Sequence, residues 1–312
     1  MKDIREISFI IILASAFLIV LLYVLFLGKP LKSNIFKVFG VKNQIEVVLL
    51  GDVMLGRSVM TKSIKEQDFS YPFKKVEKTL SEADLVFANL EAPFVKGCSK
   101  SDSGMKLCAD PGMAKGLSDA GMDVLSLANN HISDYGDKGL KDTEQVLSDN
   151  NIAYTGLGSL VIKEVGGVNF GFLGFDFVSK KLTQADLDLV ADSDKKVDVL
   201  IVGVHWGTEY KAKASNSQRL TAKSLVEAGA DVIVGHHPHW VQDIEYINPT
   251  SLKLRWARPV YYSLGNLVFD QPWSEETKKG LVIKLTFKDG ELLREEKLPI
   301  YISSLGQPEF VK

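Results

Sequence analysis

The decapeptide DVIVGHHPHW (231–240) begins as an apolar, β-branched run and breaks at a cluster of histidines around a proline. Such a run reads as a strand buried on both faces, with polar, ligand-type side chains just past its carboxyl end. The pattern recurs along the chain. VDVLIVGVH (197–205) closes on His205, DVLSLANNH (123–131) on Asn129, Asn130 and His131, and DLVFANLE (84–91) on Asn89 and Glu91. IEVVLLGD (45–52) closes on Asp52, and VNFGFLGF (168–175) is a further buried run. Between these runs, 138–149 and 216–228 carry apolar residues at helical spacing, with Leu140, Thr143 and Leu147 on one face of the first. Leu220, Ser224 and Ala228, with Leu225 alongside, share a face of the second, and Asn150, Asn151 and Gly229 are stop signals. RPVYYSLGNLVFD (258–270), GLVIKLTF (280–287) and ELLREEKLPIYI (291–302) read as consecutive strands, with Asp289-Gly290 as a hairpin turn. Alternating strands and helices followed by hairpins predict a layered α/β fold, with mixed β-sheets flanked by helices.

Composition narrows the function classes. The 312 residues carry 37 Lys+Arg against 39 Asp+Glu, a formal charge of −2, which argues against a protein built to bind nucleic-acid backbone. Two cysteines are too few for a disulfide scaffold or a Cys-rich zinc module. A 46% hydrophobic content with balanced charge excludes a disordered chain.

Residues 7–27, ISFIIILASAFLIVLLYVLFL, contain no charge. At about 1.5 Å rise per residue this run can cross the roughly 30 Å hydrocarbon layer as a helix. The following Leu27-Gly28-Lys29-Pro30-Leu31 offers no A-x-A-like cleavage site, so an uncleaved anchor is the expectation over a signal peptide. The expected organisation is a tail at 1–6, a transmembrane anchor at 7–27, a linker at 28–43 and one domain at 44–312. Lys2 and Arg5 before the span and Lys29, Lys32 and Lys37 after it leave the orientation open. Cys98 and Cys108 bracket a polar loop that a disulfide could close in an oxidising compartment, which points to an extracytoplasmic domain on the cell membrane. Two free thiols in a surface insertion are the alternative.

All five histidines, 131, 205, 236, 237 and 239, follow an expected strand, where open α/β sheets collect their ligands. Asp52, Asn89, Glu91, Asn129, Asn130, Asn266 and Asp270 fall at the same end. Carboxylate, imidazole and amide oxygen without thiolate suit divalent Mn, Zn, Fe or Ni. A pair of such ions could clamp the attacking and leaving oxygens of a phosphoryl displacement.

GDVMLGR (51–57), FANLEAPF (87–94), ANNHISDYG (128–136), GVHWGTEY (203–210), the Gln-Arg of SNSQR (215–219), GHHPHWVQDIE (235–245) and YYSLGNLVFD (261–270) follow one another in a characteristic order. Over roughly 45–270 the chain resembles CapA-type capsule-synthesis proteins. That family is associated with poly-γ-glutamate capsules, often carries an N-terminal anchor with its domain outside the cell, and resembles calcineurin-like metallophosphoesterases in fold. The resemblance implies a metallophosphatase-like domain holding two divalent ions, with Mn, Zn or Fe as candidates. Asp52 matches the Asp of the first metal and Glu91 the bridging acid. Asn130 and His205 match ligands of the second metal, and His237 and His239 match a final pair, one for each ion. His131 matches the His that contacts substrate or acts as acid. The chain departs from the metallophosphoesterase pattern at Met54, where a His is usual, and at Glu91, where an Asp is usual.

Other residues have supporting roles in this reading. Asn89 or Asn266 could complete the first metal site, and His236 either supports the ligands or fills space. Asp134 either orients His131 or caps a helix. Trp206 and Glu209 could line a substrate cleft, and Gln218 and Arg219 could face an anionic substrate. The implied function is a membrane-anchored protein of poly-γ-glutamate or related surface-polymer synthesis, anchoring or export, with a di-metal hydrolase site. Its implied partners are the membrane, other subunits of a polymer synthase, and an anionic polymer or phosphoester-like substrate, with no nucleic acid. A non-catalytic scaffold subunit and a secreted general phosphoesterase are the alternatives.

Overall fold

The computed structural model describes residues 44–99, 104–250 and 256–311. The expected tail, anchor and linker at 1–6, 7–27 and 28–43 lie outside the described residues, among which no helix is long and apolar enough to cross a membrane. In chain order the elements are β1 (Ile45–Val53), α1 (Arg57–Lys65), α2 (Glu77–Ser81), β2 (Leu85–Leu90), α3 (Ala114–Asp119), β3 (Val124–Ser126), α4 (Gly136–Asp149), β4 (Ala153–Thr155), β5 (Val161–Val165) and β6 (Val168–Asp176). They continue through α5 (Gln184–Asp194), β7 (Val199–His205), α6 (Asn216–Ala228), β8 (Val232–His236), β9 (Ile244–Ile247), β10 (Arg258–Tyr261), β11 (Asn266–Val268), β12 (Lys279–Lys288), β13 (Glu291–Ser304) and β14 (Gln307–Phe310).

The two-residue period of β1 explains the layering. Ile45, Val47 and Leu49 enter one core, while Val48 and Leu50 enter another. The first core lies between two mixed sheets. One sheet runs β14-β13-β12-β1-β2-β3-β4 with β11 also on β1, and the other runs β5-β6-β7-β8-β10-β9. Phe87 stacks on Phe172 across this interior, and Phe170 meets Phe287 edge-on. Outside the first sheet, Val59 and Met60 of α1, Leu117 of α3 and Leu147 of α4 share a core with Val48 and Leu50. Outside the second, Val190 of α5 and Ala222, Leu225 and Val226 of α6 cover Leu200, Val202 and Val204. The result is a layered α/β/β/α arrangement, with mixed sheets flanked by helices.

Several local expectations need correction. The run 258–270 is not one strand. β10 joins the second sheet and β11 the first, with Gly265 at φ 67° between them. The strand that opens 231–240 stops at His236, because His237 turns to φ 93°. In α6 the buried face is Gln218, Ala222, Leu225 and Val226, and Leu220 is 69% exposed. The Ser215 capping box explains this rotation: Gln218 reaches back to the Ser215 N–H and is drawn inward. Asp289 and Gly290, at φ 53° and 79°, form the tight turn between β12 and β13.

One close approach sets the end of β1. β12 pairs with β1 only as far as Leu49, after which β11 takes over with Asp52 opposite Asn266. The Asp52 N–H donates to the Gly265 carbonyl at 3.0 Å. A Cβ on Gly51 would lie 2.0 Å from that same carbonyl oxygen, so the backbones meet only because residue 51 has no side chain. Gly51→Ala is therefore expected to cost about 1–3 kcal/mol and to lower the Tm by several degrees. An unchanged melting curve would contradict this packing.

Candidate metal centre

The carboxyl ends of β1, β2, β7 and β8 converge where the two sheets meet, and each delivers polar side chains into buried space. Asp52, Asn89 and Glu91 are fully buried, and His205, His237 and His239 nearly so. Asn89 is the hub. Its Nδ2 donates to Asp52 Oδ1 at 2.9 Å and to Glu91 Oε2 at 3.2 Å, and approaches His205 Nδ1 at 3.5 Å. Its Oδ1 accepts from Asn129 Nδ2 at 3.0 Å, and Asn129 also donates to the Leu90 carbonyl. The amide thus holds the two acids together.

His239 closes the group from the second sheet's side. Its Nδ1 lies 3.4 Å from Asp52 Oδ2 and 3.0 Å from Asn266 Oδ1, and its Nε2 lies 3.6 Å from Glu91 Oε1. Asn266 is itself fixed by donating to Gln271 and to the Thr277 carbonyl. The backbone N–H of His237 donates to Asp52 Oδ2 at 3.2 Å. His237 and His239 flank Pro238 at φ 93° and 57°, the left-handed region that non-glycine residues enter at a cost of about 1–3 kcal/mol. That strain is what turns both rings into one site.

His205 Nε2 meets Asn130 Oδ1 at 2.9 Å, and its ring centroid is 4.8 Å from that of His237. His131 sits at the edge, with its backbone N–H on Asn129 Oδ1 and its Nδ1 2.9 Å from Asp134 Oδ2. A carboxylate can only accept, so Nδ1 carries the proton and Nε2 is the free atom. The same Asp134 oxygen accepts the Leu107 N–H at 2.7 Å.

The electrostatics fit a cation. Burial raises the Asp52 carboxyl, but the His239 hydrogen bond and the nearby imidazoles of His236, His239 and His205 outweigh it and hold Asp52 well below the usual carboxylate range. Burial, then the adjacent Asp52 charge, pushes Glu91 well above its ordinary value. Burial also depresses His205, His236 and His237, favouring the neutral imidazole that ligates metal. Among the described residues, Asp52, Glu91 and His239 offer ligand atoms that all lie within 4.8 Å of one another. Glu91 Oε1 and His237 Nδ1 are buried with no hydrogen-bond partner. Buried polar atoms are rarely left so, and a divalent ion would satisfy both without a donor or acceptor of its own.

Other expected residues lie elsewhere. Met54 is buried in the helix-side core and its sulfur takes the Gly56 N–H, so it adds nothing to the centre. His236 Nε2 contacts the Leu50 carbonyl at 3.1 Å, pinning the end of β8 to β1. Trp206 packs on Tyr262 and donates to its carbonyl, so it is a core residue. Arg219 does not face the site: Asp243 and Glu245 bind its guanidinium at 2.6 and 2.8 Å, and Gln218 is bound to Gln242. Cys98 and Cys108 are joined as a disulfide, the expected pairing over the free-thiol alternative. The sequence places Asn129 among the strand-end candidates without a specific role and does not single out Gln271 or Tyr210, although each directly neighbours a histidine or asparagine of the site.

The geometry makes metal content a direct test. The protein purified with Mn or Zn is expected to hold a divalent ion and to melt at lower temperature after chelation, since a ligand bound only by the folded state stabilises it. Asp52→Asn and His239→Ala are each expected to lower metal affinity at least tenfold. Equal melting with and without chelator, together with unchanged metal content in both variants, would contradict the assignment.

Comparison with known proteins supplies the family. Residues 46–271 match the family described as bacterial capsule synthesis protein PGA_cap. The chain is 32% identical to the "Capsule biosynthesis protein CapA" of Bacillus anthracis over 295 residues, covering 85% of this chain and 69% of that protein. It is 33% identical to the "PGA biosynthesis protein CapA" of Bacillus subtilis (strain 168) over 277 residues, covering 81% and 70% respectively. In fold it is similar to a hypothetical protein from Thermus thermophilus, with a TM-score of 0.53 at 15% identity, covering 82% of this chain and 98% of that one. Matched by the family description over most of its described domain, this chain belongs to the bacterial capsule synthesis protein PGA_cap family.

Proposed function

We propose that the chain is a membrane-anchored protein of poly-γ-glutamate or related surface-polymer synthesis, anchoring or export, and that its site is a two-metal hydrolase centre of metallophosphatase type. The observation that carries the reading is the buried Asp52–Glu91–His239 cluster with its orphaned Glu91 Oε1. The names of its Bacillus relatives support the pathway. The charge-free run at 7–27 supports the anchor, and the Cys98–Cys108 disulfide supports an extracytoplasmic domain.

In this reading Asp52, Glu91 and His239 would hold one ion, and Asn130, His205 and His237 would contribute to holding a second. Bound divalent ions supply Lewis acidity toward a phosphoryl or carbonyl oxygen and lower the pKa of water. The remaining chemistry belongs to the chain. His131 keeps its Nδ1 proton on Asp134 and presents Nε2 as the atom that gives a proton to the leaving group or takes one. Asn129 links the His131 backbone to Asn89, so His131 is tied to the acidic pair through the two amides. Asn266, braced by Gln271 and Thr277, fixes the His239 ring.

A second reading, a metal-holding scaffold without turnover, draws on Met54. Its sulfur is engaged in the core, so the first ion lacks the imidazole usual at that position. Assays of phosphomonoesters, phosphodiesters and γ-glutamyl peptides with added Mn or Zn separate the two. Turnover on one class is expected, with a loss of about 10²–10⁴-fold in His131→Gln while metal content is retained. Bound metal with no turnover on any class, together with normal surface polymer in cells carrying His131→Gln, would favour the scaffold. Normal polymer in cells carrying Asp52→Ala would remove the pathway assignment.

A further inference from the structure

The disulfide loop reaches the proton-transfer residue, a link the mechanism above leaves unused. The loop leaves and returns beside the segment that follows Glu91. There the Val95 N–H donates to the Ala109 carbonyl and the Ala109 N–H to the Pro93 carbonyl, both at 2.9 Å. Three consecutive loop residues then grip the turn that carries His131. The Leu107 N–H donates to Asp134 Oδ2 at 2.7 Å, and the Tyr135 hydroxyl lies 3.2 Å from Cys108 Sγ. The Lys106 ammonium sits 4.3 Å from the centre of the Tyr135 ring. Farther out, the Gly104 carbonyl accepts from Arg57 Nη1 at 3.0 Å.

The Asp134 contact is the one that bears on chemistry. The oxygen that accepts the Leu107 N–H is the same Oδ2 that lies 2.9 Å from His131 Nδ1. Two donors from separate segments fix that oxygen, and the bond at Nδ1 decides which ring nitrogen is left free. The Asp134 side chain is 20% exposed, so water competes for the carboxylate wherever Leu107 lets go. Leu107 is buried and directly precedes Cys108, which is 5% exposed and bonded to Cys98. The crosslinked cysteines are ten residues apart in sequence. Closing such a span removes chain freedom that would otherwise work against the Leu107 bond.

We propose that the Cys98–Cys108 disulfide is a positioning element for proton transfer at the centre. Through Leu107 and Asp134 it holds His131 in the Nδ1–H form, with Nε2 free for the leaving group. The inference rests on the hydrolase reading of the site, in which His131 moves the proton. It separates two functions of one centre. The hydrogen bonds of Asp52, Glu91 and His239 run to Asn89, Asn266 and the His237 N–H, not to the loop. Arg57, which the loop also touches, has Asp270 as a second partner. Opening the disulfide therefore weakens the proton-transfer step and leaves metal binding intact. A crosslink that only stabilised the fold would lower the Tm and leave the His131 ring unchanged.

The test uses the zinc-loaded full chain in detergent, isotope-labelled at the histidine ring nitrogens, as the oxidised protein and as the double variant Cys98→Ser/Cys108→Ser. Long-range proton–nitrogen NMR reads the His131 tautomer and amide exchange reads Leu107, with kcat, KM and bound zinc measured on the same samples. The oxidised protein is expected to show His131 as a single Nδ1–H ring. In the double variant the ring is expected to lose that single form and Leu107 to exchange about tenfold faster or more. Its kcat is expected to fall about tenfold, with KM and bound zinc unchanged. Leu107→Pro keeps the disulfide, removes the N–H donor and is expected to give the same ring change; where the double variant does not fold, this variant decides. Reduction with a trialkylphosphine adds two electrons and two protons to the disulfide while the phosphine takes oxygen from water to form its oxide. In Asp134→Ala that reduction is expected to lower kcat no further, because the loop acts through this carboxylate. An unchanged His131 ring in the double variant and in Leu107→Pro, or a tenfold fall in kcat on reducing Asp134→Ala, would overturn the proposal. No turnover by the oxidised protein, with the ring still following the disulfide, would remove the hydrolase reading and leave the loop's hold on His131 standing.

Discussion

Two carboxylates, Asp52 and Glu91, are buried side by side, and the surrounding structure exists to make that tolerable. A pair of unit charges about 4 Å apart repels by about 4 kcal/mol at an effective dielectric near 20. Each charge also gives up hydration on burial. Asn89 spans the pair with one amide, the His237 N–H donates to Asp52, and His239 lies against both acids. These contacts still leave Glu91 Oε1 without a hydrogen-bond partner, His239 Nε2 standing 3.6 Å away. The unmet demand is for positive charge without a donor hydrogen, which is what a divalent cation provides.

Placing those groups requires both sheets. β1 and β2 carry the acids, while β7 and the turn after β8 carry the imidazoles. The strands can face one another because apolar side chains fill the space between the sheets and glycine lets backbones touch at the end. Gly51 meets the Gly265 carbonyl, and a Cβ on Gly235 would lie 2.0 Å from the Tyr262 carbonyl oxygen. The constraint is geometric before it is chemical. His237 and His239 occupy strained backbone positions because that turn returns both side chains flanking Pro238 to the acids.

Much of this is legible in the chain because strands buried on both faces are written as unbroken apolar runs. Such runs locate β1, β2, β6, β7 and β8, and the residues just past them supply the site's carboxylates, amides and imidazoles. The short edge strands β4, β9 and β14 carry too few residues to show a period, so the sequence does not reveal them. The run 258–270 reads as continuous because Gly265, which redirects the chain from one sheet to the other, looks like any other loop glycine until its partner at Gly51 is known. Spacing alone turns Leu220 inward, whereas the Gln218 cap sets the rotation of α6. Charge alone turns Arg219 toward an anionic substrate, and only the fold shows Asp243 and Glu245 already bound to it. Asn129 lacks an assigned role for a related reason: its partners, Asn89 and the Leu90 carbonyl, sit on a strand distant in sequence.

Asp52, Glu91 and His239 together frame a place for a cation. Diffraction from crystals grown with Mn or Zn, recorded on both sides of the metal's absorption edge, locates such an ion directly. An anomalous peak is expected about 2.0–2.2 Å from a carboxylate oxygen of Asp52, one of Glu91 and a ring nitrogen of His239. Anomalous density absent from that position, or found only at surface carboxylates, would contradict it.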